Sequence, residues 1–279
     1  MAGMLYLVPT PIGNLGDISL RCRETLESAD FIAAEDTRVT LKLLNHLGIK
    51  KSLVSYYEHN KATKGDRIVD RILAGETCAL VSDAGSPAIS DPGEDLVKQC
   101  AEAGIIVCAI PGPCAAITAL SMSGLPTGRF TFEGFLSTTK KNRAQHLDSL
   151  RAEQRTMIFY EAPHHLRATL RQLAEVLGGG RRAAFGRELT KRYEEFRRGT
   201  LQELCSYYEE QEPRGEYVLI VEGFSGEQAP EEETVKDPVV LCHALMESGL
   251  SKKDAMREAA KRLGIARRDV YNALLQADS

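Results

Sequence analysis

Three stretches of the chain concentrate glycine and proline where a ligand could be held: Pro9-Thr10-Pro11-Ile12-Gly13-Asn14-Leu15-Gly16-Asp17, Ser82-Asp83-Ala84-Gly85-Ser86-Pro87-Ala88-Ile89-Ser90-Asp91-Pro92-Gly93, and Pro111-Gly112-Pro113-Cys114-Ala115-Ala116. Glycine lets a ligand approach the backbone, and proline fixes a loop in advance, which lowers the ordering cost of binding. Any one of these loops could simply turn the chain. Three of them at one sheet edge point to a ligand read by backbone N–H and C=O groups. None fits G-x-G-x-x-G or G-x-x-x-x-G-K-[ST], so a pyrophosphate-centred nucleotide is not supported, and a nucleoside with an amino-acid tail fits better. Polar residues follow two further apolar runs: Glu35, Asp36 and Arg38, then Glu58, His59 and Asn60. His59 or Asp36 could accept a hydroxyl proton, and Arg38 and Lys191 could hold phosphates, arginine through a bidentate contact. His59 also reads as an ordinary surface residue, and Asp36 as the cap of a helix starting at Thr37.

Such loops need strands to carry them. Apolar runs at 4–8, 31–34, 53–56, 78–82 and 105–110 predict strands, alternating with helical patterns at 17–29, 37–47, 66–74 and 92–103, the last three stopped by Gly48, Gly75 and Gly104. Alternation of this kind predicts a parallel sheet with crossover helices, whose ligands sit beyond the carboxyl ends of the strands. After a turn-rich stretch at 122–128, a second α/β unit is expected, with strands at 130–135, 156–160, 183–187 and 216–221 and helices at 142–152, 163–177 and 201–209. The acidic, polar run 225–233 reads as a flexible linker. The expected organisation is therefore an α/β domain over 1–124, a second over 125–225, and a small helical domain over 235–279.

The first loop with its flanks (Val8 to Ile18), Ala34-Glu35-Asp36-Thr37-Arg38, the second loop, Ile110-Pro111-Gly112-Pro113 and Phe159-Tyr160-Glu161-Ala162-Pro163-His164 carry a specific resemblance. Over essentially its whole length the chain resembles the tetrapyrrole (corrin/porphyrin) methylase superfamily, and within it the branch that methylates ribose 2′-hydroxyls of small-subunit ribosomal RNA. That resemblance implies two α/β domains with S-adenosyl-L-methionine in the cleft between them, usually in a homodimer. Carried over by position, the cofactor contacts are Ile12 and Gly13, then Asp83, Gly85 and Ser86, then Pro111, Gly112, Ala115 and Ala116. Tyr160, Glu161, Glu188, Leu189 and Gly215 come from the second domain. The implied substrate is a cytidine of the decoding region in 16S rRNA within the small ribosomal subunit. Corrin-methylating relatives carry a glycine-rich first loop where this chain has a proline-rich one, which disfavours the alternative of a corrin or porphyrin precursor as substrate.

In the tail, Ser251 to Asp254 offers a capping box, and Met256, Ala259, Ala260 and Leu263 form an apolar stripe that Gly264 would end. A second helix at 266–275 would bury Val270 and Leu274. Ala260, Gly264 and Val270 fall where a helix-turn-helix places its small, turn and core residues, although any short helical hairpin that packs or dimerises shows a similar pattern. Lys252, Lys253, Arg257, Lys261, Arg262, Arg267 and Arg268 favour nucleic-acid contact, with Arg38, Lys191 and Arg192 the expected RNA contacts of the body. A DNA-binding regulator would explain this tail and leave the three loops without chemistry.

Composition sets the bounds. With 279 residues, 43% hydrophobic and 27% charged, the chain is an ordinary globular protein. A start without a basic stretch followed by an apolar run, and no apolar segment near the ~20 residues of a membrane span, predict a cytoplasmic protein with no membrane partner. Seven cysteines form no C-x-x-C pair, so neither a disulfide framework nor a metal site is expected. A net charge of −4 argues against nucleic acid on average. Yet residues 181–198 carry a local +4 and 251–268 a local +5, with −5 over 222–237 between them.

Overall fold

The computed structural model describes residues 3–226, 238–247, 251–263 and 265–277, in two compact units, Met1–Phe224 and Ser225–Ser279. In the first unit, β1 (Met4–Leu7), β2 (Phe31–Ala34), β3 (Ser52–Ser55), β4 (Cys78–Val81) and β5 (Ile106–Ala109) form the expected all-parallel sheet, in the order β3-β2-β4-β1-β5. Phe31, Ala33, Cys78 and Leu80 face one core, with Ile68, Ile72 and Leu96, while Ile32, Ala34, Ala79 and Val81 face another, with Cys22, Leu26 and Leu44. A sheet covered on both faces needs apolar residues at every position, which is why β2 and β4 read as unbroken apolar runs.

The covering helices are α1 (Leu20–Ser28), α2 (Thr37–Leu47), α3 (Lys61–Leu73) and α4 (Gly93–Glu102). The Ser19 hydroxyl caps α1 through the amide of Cys22, and Gly48, at φ 74°, ends α2 in the left-handed conformation that glycine tolerates. Helix α3 begins at Lys61, ahead of the expected 66. Its first turn has no apolar period to betray it, and Lys61 is held instead by Glu58 (2.7 Å) and Asp95 (2.6 Å).

Strand order decides which loops meet. β4, β1 and β5 are consecutive neighbours in the sheet, so the three glycine- and proline-rich loops leave it side by side. The loop after β2 is next to them. The loop after β3 leaves the far edge of the sheet, two strands from β4, or about 10 Å at the usual strand spacing.

The third loop runs into α5 (Ala115–Ser123), a helix absent from the expectation. It is apolar nearly all round and so shows no one-sided stripe; Ala116, Ala119 and Leu120 pack on Ile158, Val218 and Ile220 of the second sheet. That sheet comprises β6 (Phe130–Phe135), β7 (Thr156–Glu161), β8 (Arg182–Arg187), β9 (Glu195–Thr200) and β10 (Tyr217–Val221), in the order β6-β7-β10-β8-β9. β6 and β7 are parallel and the other pairs antiparallel. Its outer face packs Met157, Phe159, Phe185 and Leu219 beneath α6 (Lys140–Ser149), α7 (Pro163–Leu177) and α8 (Leu201–Glu210). β9 was not expected, because its EFRRGT sequence is charged, as edge strands commonly are. Part of the basic run 181–198 is therefore a strand, with Arg197 over the Tyr207 ring (3.8 Å) and Arg198 over Phe196 (4.9 Å).

The second unit holds α9 (Pro238–Glu247), α10 (Lys252–Leu263) and α11 (Arg267–Ala277) around Cys242, Leu245, Met256, Ala259, Val270 and Leu274. Val270 and Leu274 are buried as expected, and α9 is an additional helix. The Ser251 hydroxyl accepts from the Asp254 amide (3.2 Å) and donates to its carboxylate (2.7 Å), so half of the capping box is present. Gly264, the side chains of Lys261 and Arg262, and the acidic residues 227–233 lie outside the described residues. Among the described residues no helix is long and apolar enough to cross a membrane, and no group of three or more His, Cys, Asp or Glu side chains could hold a metal ion.

Candidate active site

The loops beyond β1, β4 and β5 are locked to one another by short-range contacts. Thr10 and Gly85 exchange both backbone hydrogen bonds (2.9 and 3.0 Å), and the Thr10 hydroxyl donates to the carbonyl of Ser82 (3.1 Å). The Ser86 hydroxyl donates to the carbonyl of Pro113 (3.1 Å), joining the second loop to the third. Gly112 admits no side chain, since a Cβ there would lie 2.7 Å from Cβ of Pro9. Gly85 sits at φ 84°, and Ala88 and Ser90 adopt left-handed φ values of 66° and 63°, a conformation that costs energy in non-glycine residues. The Asp91 carboxylate holds that turn by accepting from the amides of Ala88 (3.0 Å) and Gly93 (2.7 Å).

Beneath these loops lies a cavity of about 560 Å³. Ile12, Asp83, Gly85, Ser86 and Ala115 line it from the first sheet's loops, and Tyr160, Glu161, Glu188, Leu189 and Lys191 from the second sheet. Of the other positions singled out by sequence, Gly13, Pro111, Gly112, Ala116 and Gly215 lie off its wall. The Ala116 amide donates to the Tyr160 hydroxyl (3.3 Å), and a Cβ on Gly215 would lie 2.5 Å from Cγ of Glu188. Gly13 packs against Lys191, where a Cβ would come within 2.3 Å of Cγ. Burial pushes the Tyr160 hydroxyl up to about 12, so it stays protonated at neutral pH.

The charge on the wall is one-sided: six carboxylates (Glu35, Asp83, Asp91, Glu161, Glu188 and Glu216) against the single ammonium of Lys191. Glu161 is buried and satisfied, accepting from the Ala162 amide (2.9 Å) and from the Thr169 hydroxyl. Lys191 reaches Glu188 and Glu216, each at 2.9 Å, so the cation expected to hold phosphate is already engaged by two carboxylates. Burial, and then the charges of Asp83 and Asp91, push the Glu35 carboxyl up; burial and Asp36 do the same for Asp83. Glu216, Asp91 and the wall residues Val218 and Phe135 carried no sequence signal, apart from the Asp-Pro-Gly ending of the second loop.

Neither expected proton acceptor is on the wall. Asp36 accepts from the Arg38 amide (2.8 Å) as the cap of α2 and pairs with the Arg38 guanidinium (2.6 Å), which holds its carboxyl down at about 2 and leaves it a weak base. His59 is exposed in the turn after β3, edge-on to Tyr57 (6.3 Å). Arg38 and Arg192 are exposed in the first unit, and Lys252, Arg267 and Arg268 are exposed in the second.

This arrangement can hold a small cationic ligand through backbone groups and carboxylates, and it opposes polyphosphates. Comparison with known proteins agrees with the fold. Residues 4–205 match the model of the Tetrapyrrole (Corrin/Porphyrin) Methylases. The chain is 48% identical to the ribosomal RNA small subunit methyltransferase I of Synechocystis sp., over 99% of both chains. It is 47% identical to the protein of the same name from Bacillus subtilis, over 97% of this chain and 94% of that one. Among solved structures, a diphthine synthase superposes with a TM-score of 0.61 at 15% identity, over 79% of this chain and 90% of that one. Thermus thermophilus uroporphyrin-III C-methyl transferase complexed with S-adenyl homocysteine superposes with a TM-score of 0.55 at 17% identity, over 79% and 97%. The chain belongs to the tetrapyrrole (corrin/porphyrin) methylases.

Proposed function

We propose that the chain transfers a methyl group from S-adenosylmethionine to a ribose 2′-hydroxyl of small-subunit ribosomal RNA, at a cytidine of the decoding region in the assembled subunit. The observation that carries this reading is the main cavity, where six carboxylates face one lysine and the surrounding loops offer backbone groups. A nucleoside with a sulfonium and an ammonium suits those walls, and a nucleoside polyphosphate does not. When bound, the cofactor supplies a methyl group already activated by the positive sulfur, so positioning of the acceptor oxygen supplies much of the catalysis. Ile12, Asp83, Gly85, Ser86 and Ala115 would hold the cofactor from one side, and Tyr160, Glu161, Glu188 and Leu189 from the other.

The choice of RNA over a tetrapyrrole rests on the relatives. Proteins named as ribosomal RNA methyltransferases share 47–50% of their residues with this chain, whereas the uroporphyrin-III methyltransferase structures share 16–21%. RNA phosphates would lie outside the acidic cavity, on Arg38, Arg192, Lys252, Arg267 and Arg268. A homodimer is part of the proposal: Ile106, 63% exposed on edge strand β5, and Phe130 on edge strand β6 are apolar surface that a second copy would cover. The test is transfer of labelled methyl to small ribosomal subunits, to naked 16S rRNA and to a porphyrin precursor. Label in the subunits at a ribose is expected; label in the porphyrin precursor alone would overturn the reading.

A further inference from the structure

A second cavity, of about 270 Å³, shares Ser82 and Asp83 with the main one. Its remaining wall is mostly apolar, with Pro11, Leu15, Val39 and Leu43, and it includes the exposed Lys42. We infer that this cavity receives the nucleoside to be methylated, with Asp83 presenting its carboxylate to the reacting hydroxyl from the wall common to both cavities. The inference rests on the methyltransferase reading above.

Four observations carry it. Donor and acceptor must meet where their sites adjoin, and Asp83 is the one ionisable residue on both walls. The volume lies just under the ~300 Å³ low end of ligand pockets, which suits a single splayed-out nucleoside rather than a run of them. Lys42 stands one turn after Arg38 on α2, so two cations on one helix face are placed for the flanking phosphates, clear of the acidic cavity. Finally, the Asp36 amide fixes Asp83 through Oδ1 (3.0 Å), and no hydrogen bond among the described residues reaches Oδ2. Burial strengthens this carboxylate as a proton acceptor, in contrast to the ion-paired Asp36.

In the step assigned to it, Oδ2 takes the hydroxyl proton as the O–H bond breaks. The oxygen's electron pair forms the bond to the methyl carbon, and the electrons of the breaking S–C bond stay on sulfur, which becomes a neutral thioether. The proton then leaves Asp83 to water.

Two variants of the full chain test this, with small ribosomal subunits as the acceptor. Val39→Trp fills the second cavity, and is expected to raise the KM for subunits at least tenfold while the calorimetric Kd for S-adenosylmethionine stays within twofold. Asp83→Asn keeps Oδ1 as acceptor for the Asp36 amide. Its single-turnover rate at saturating S-adenosylmethionine is expected to fall at least 100-fold, with subunit affinity within threefold. If Val39→Trp disturbs folding in a thermal melt, Lys42→Glu replaces it, with a raised KM, unchanged cofactor Kd and a shallower salt dependence expected. Full activity with unchanged KM in the cavity variant overturns the acceptor site. A rate in Asp83→Asn that stays within threefold of the unaltered protein's, or that is restored by raising the S-adenosylmethionine concentration, overturns the proton-acceptor role, since Asp83 would then serve cofactor binding alone. Inactivity of the unaltered protein on subunits, with cofactor bound, counts against the functional reading and this assignment together.

Discussion

The two sheets of the first unit serve the same cavity by different means. The parallel sheet offers loops, because every strand points its carboxyl end the same way and neighbouring strands β4, β1 and β5 deliver their loops to one place. The mixed sheet offers strand and turn side chains, Tyr160 and Glu161 at the end of β7, Glu188 after β8 and Glu216 before β10. A site built from backbone shows itself in composition, as glycine and proline. One built from strand ends is hidden among residues that would look the same in any sheet.

The comparison breaks first on folding. If both halves depend on one another, Phe159→Ala in the second sheet's core costs about 3–5 kcal/mol, and a melt should show a single transition that takes cofactor binding with it. Two separate transitions would mean that the halves fold independently. Next, Gly112→Val drives a side chain into Pro9, and cofactor affinity should fall at least about tenfold, or 1.4 kcal/mol, in a calorimetric titration. The half built on the mixed sheet should be more tolerant: Tyr160→Phe removes the acceptor of the Ala116 amide, worth about 1 kcal/mol, so a loss of about fivefold is expected.

The smallest effect concerns the shared acidic wall. The Glu35 carboxyl is raised in the folded chain above its ordinary 4.5. Its contribution to stability is therefore present below pH 4.5 and is lost as pH rises through the folded value. Glu35→Gln should raise the Tm of the ligand-free protein at pH 7 by about 1–2 °C, with the difference vanishing near pH 4. A lower Tm at pH 7 would contradict the electrostatic account of the wall.

Much of this was legible in the amino-acid sequence, for reasons that can be named. β2, β4 and the three loops were visible because a doubly covered parallel strand is a continuous apolar run and its loop is punctuated by glycine and proline. α5 was invisible because both sides of it are apolar, and β9 because an edge strand can be charged. The first turn of α3 is held by ion pairs of Lys61 rather than by an apolar face. His59 looked eligible on residue type alone. Only strand order, which places β3 at the far edge of the sheet, shows that its loop leaves at a distance from β4. Asp36 had two readings in sequence, and its hydrogen bonds to Arg38 show the helix cap.

The central claim is that an acidic, backbone-lined cavity takes a cationic methyl donor, and the most direct measurement is a calorimetric titration of the purified full chain with S-adenosylmethionine and, separately, ATP. The account predicts saturable binding of S-adenosylmethionine and no detectable heat from ATP. Tight binding of ATP, or no binding of S-adenosylmethionine, would contradict it.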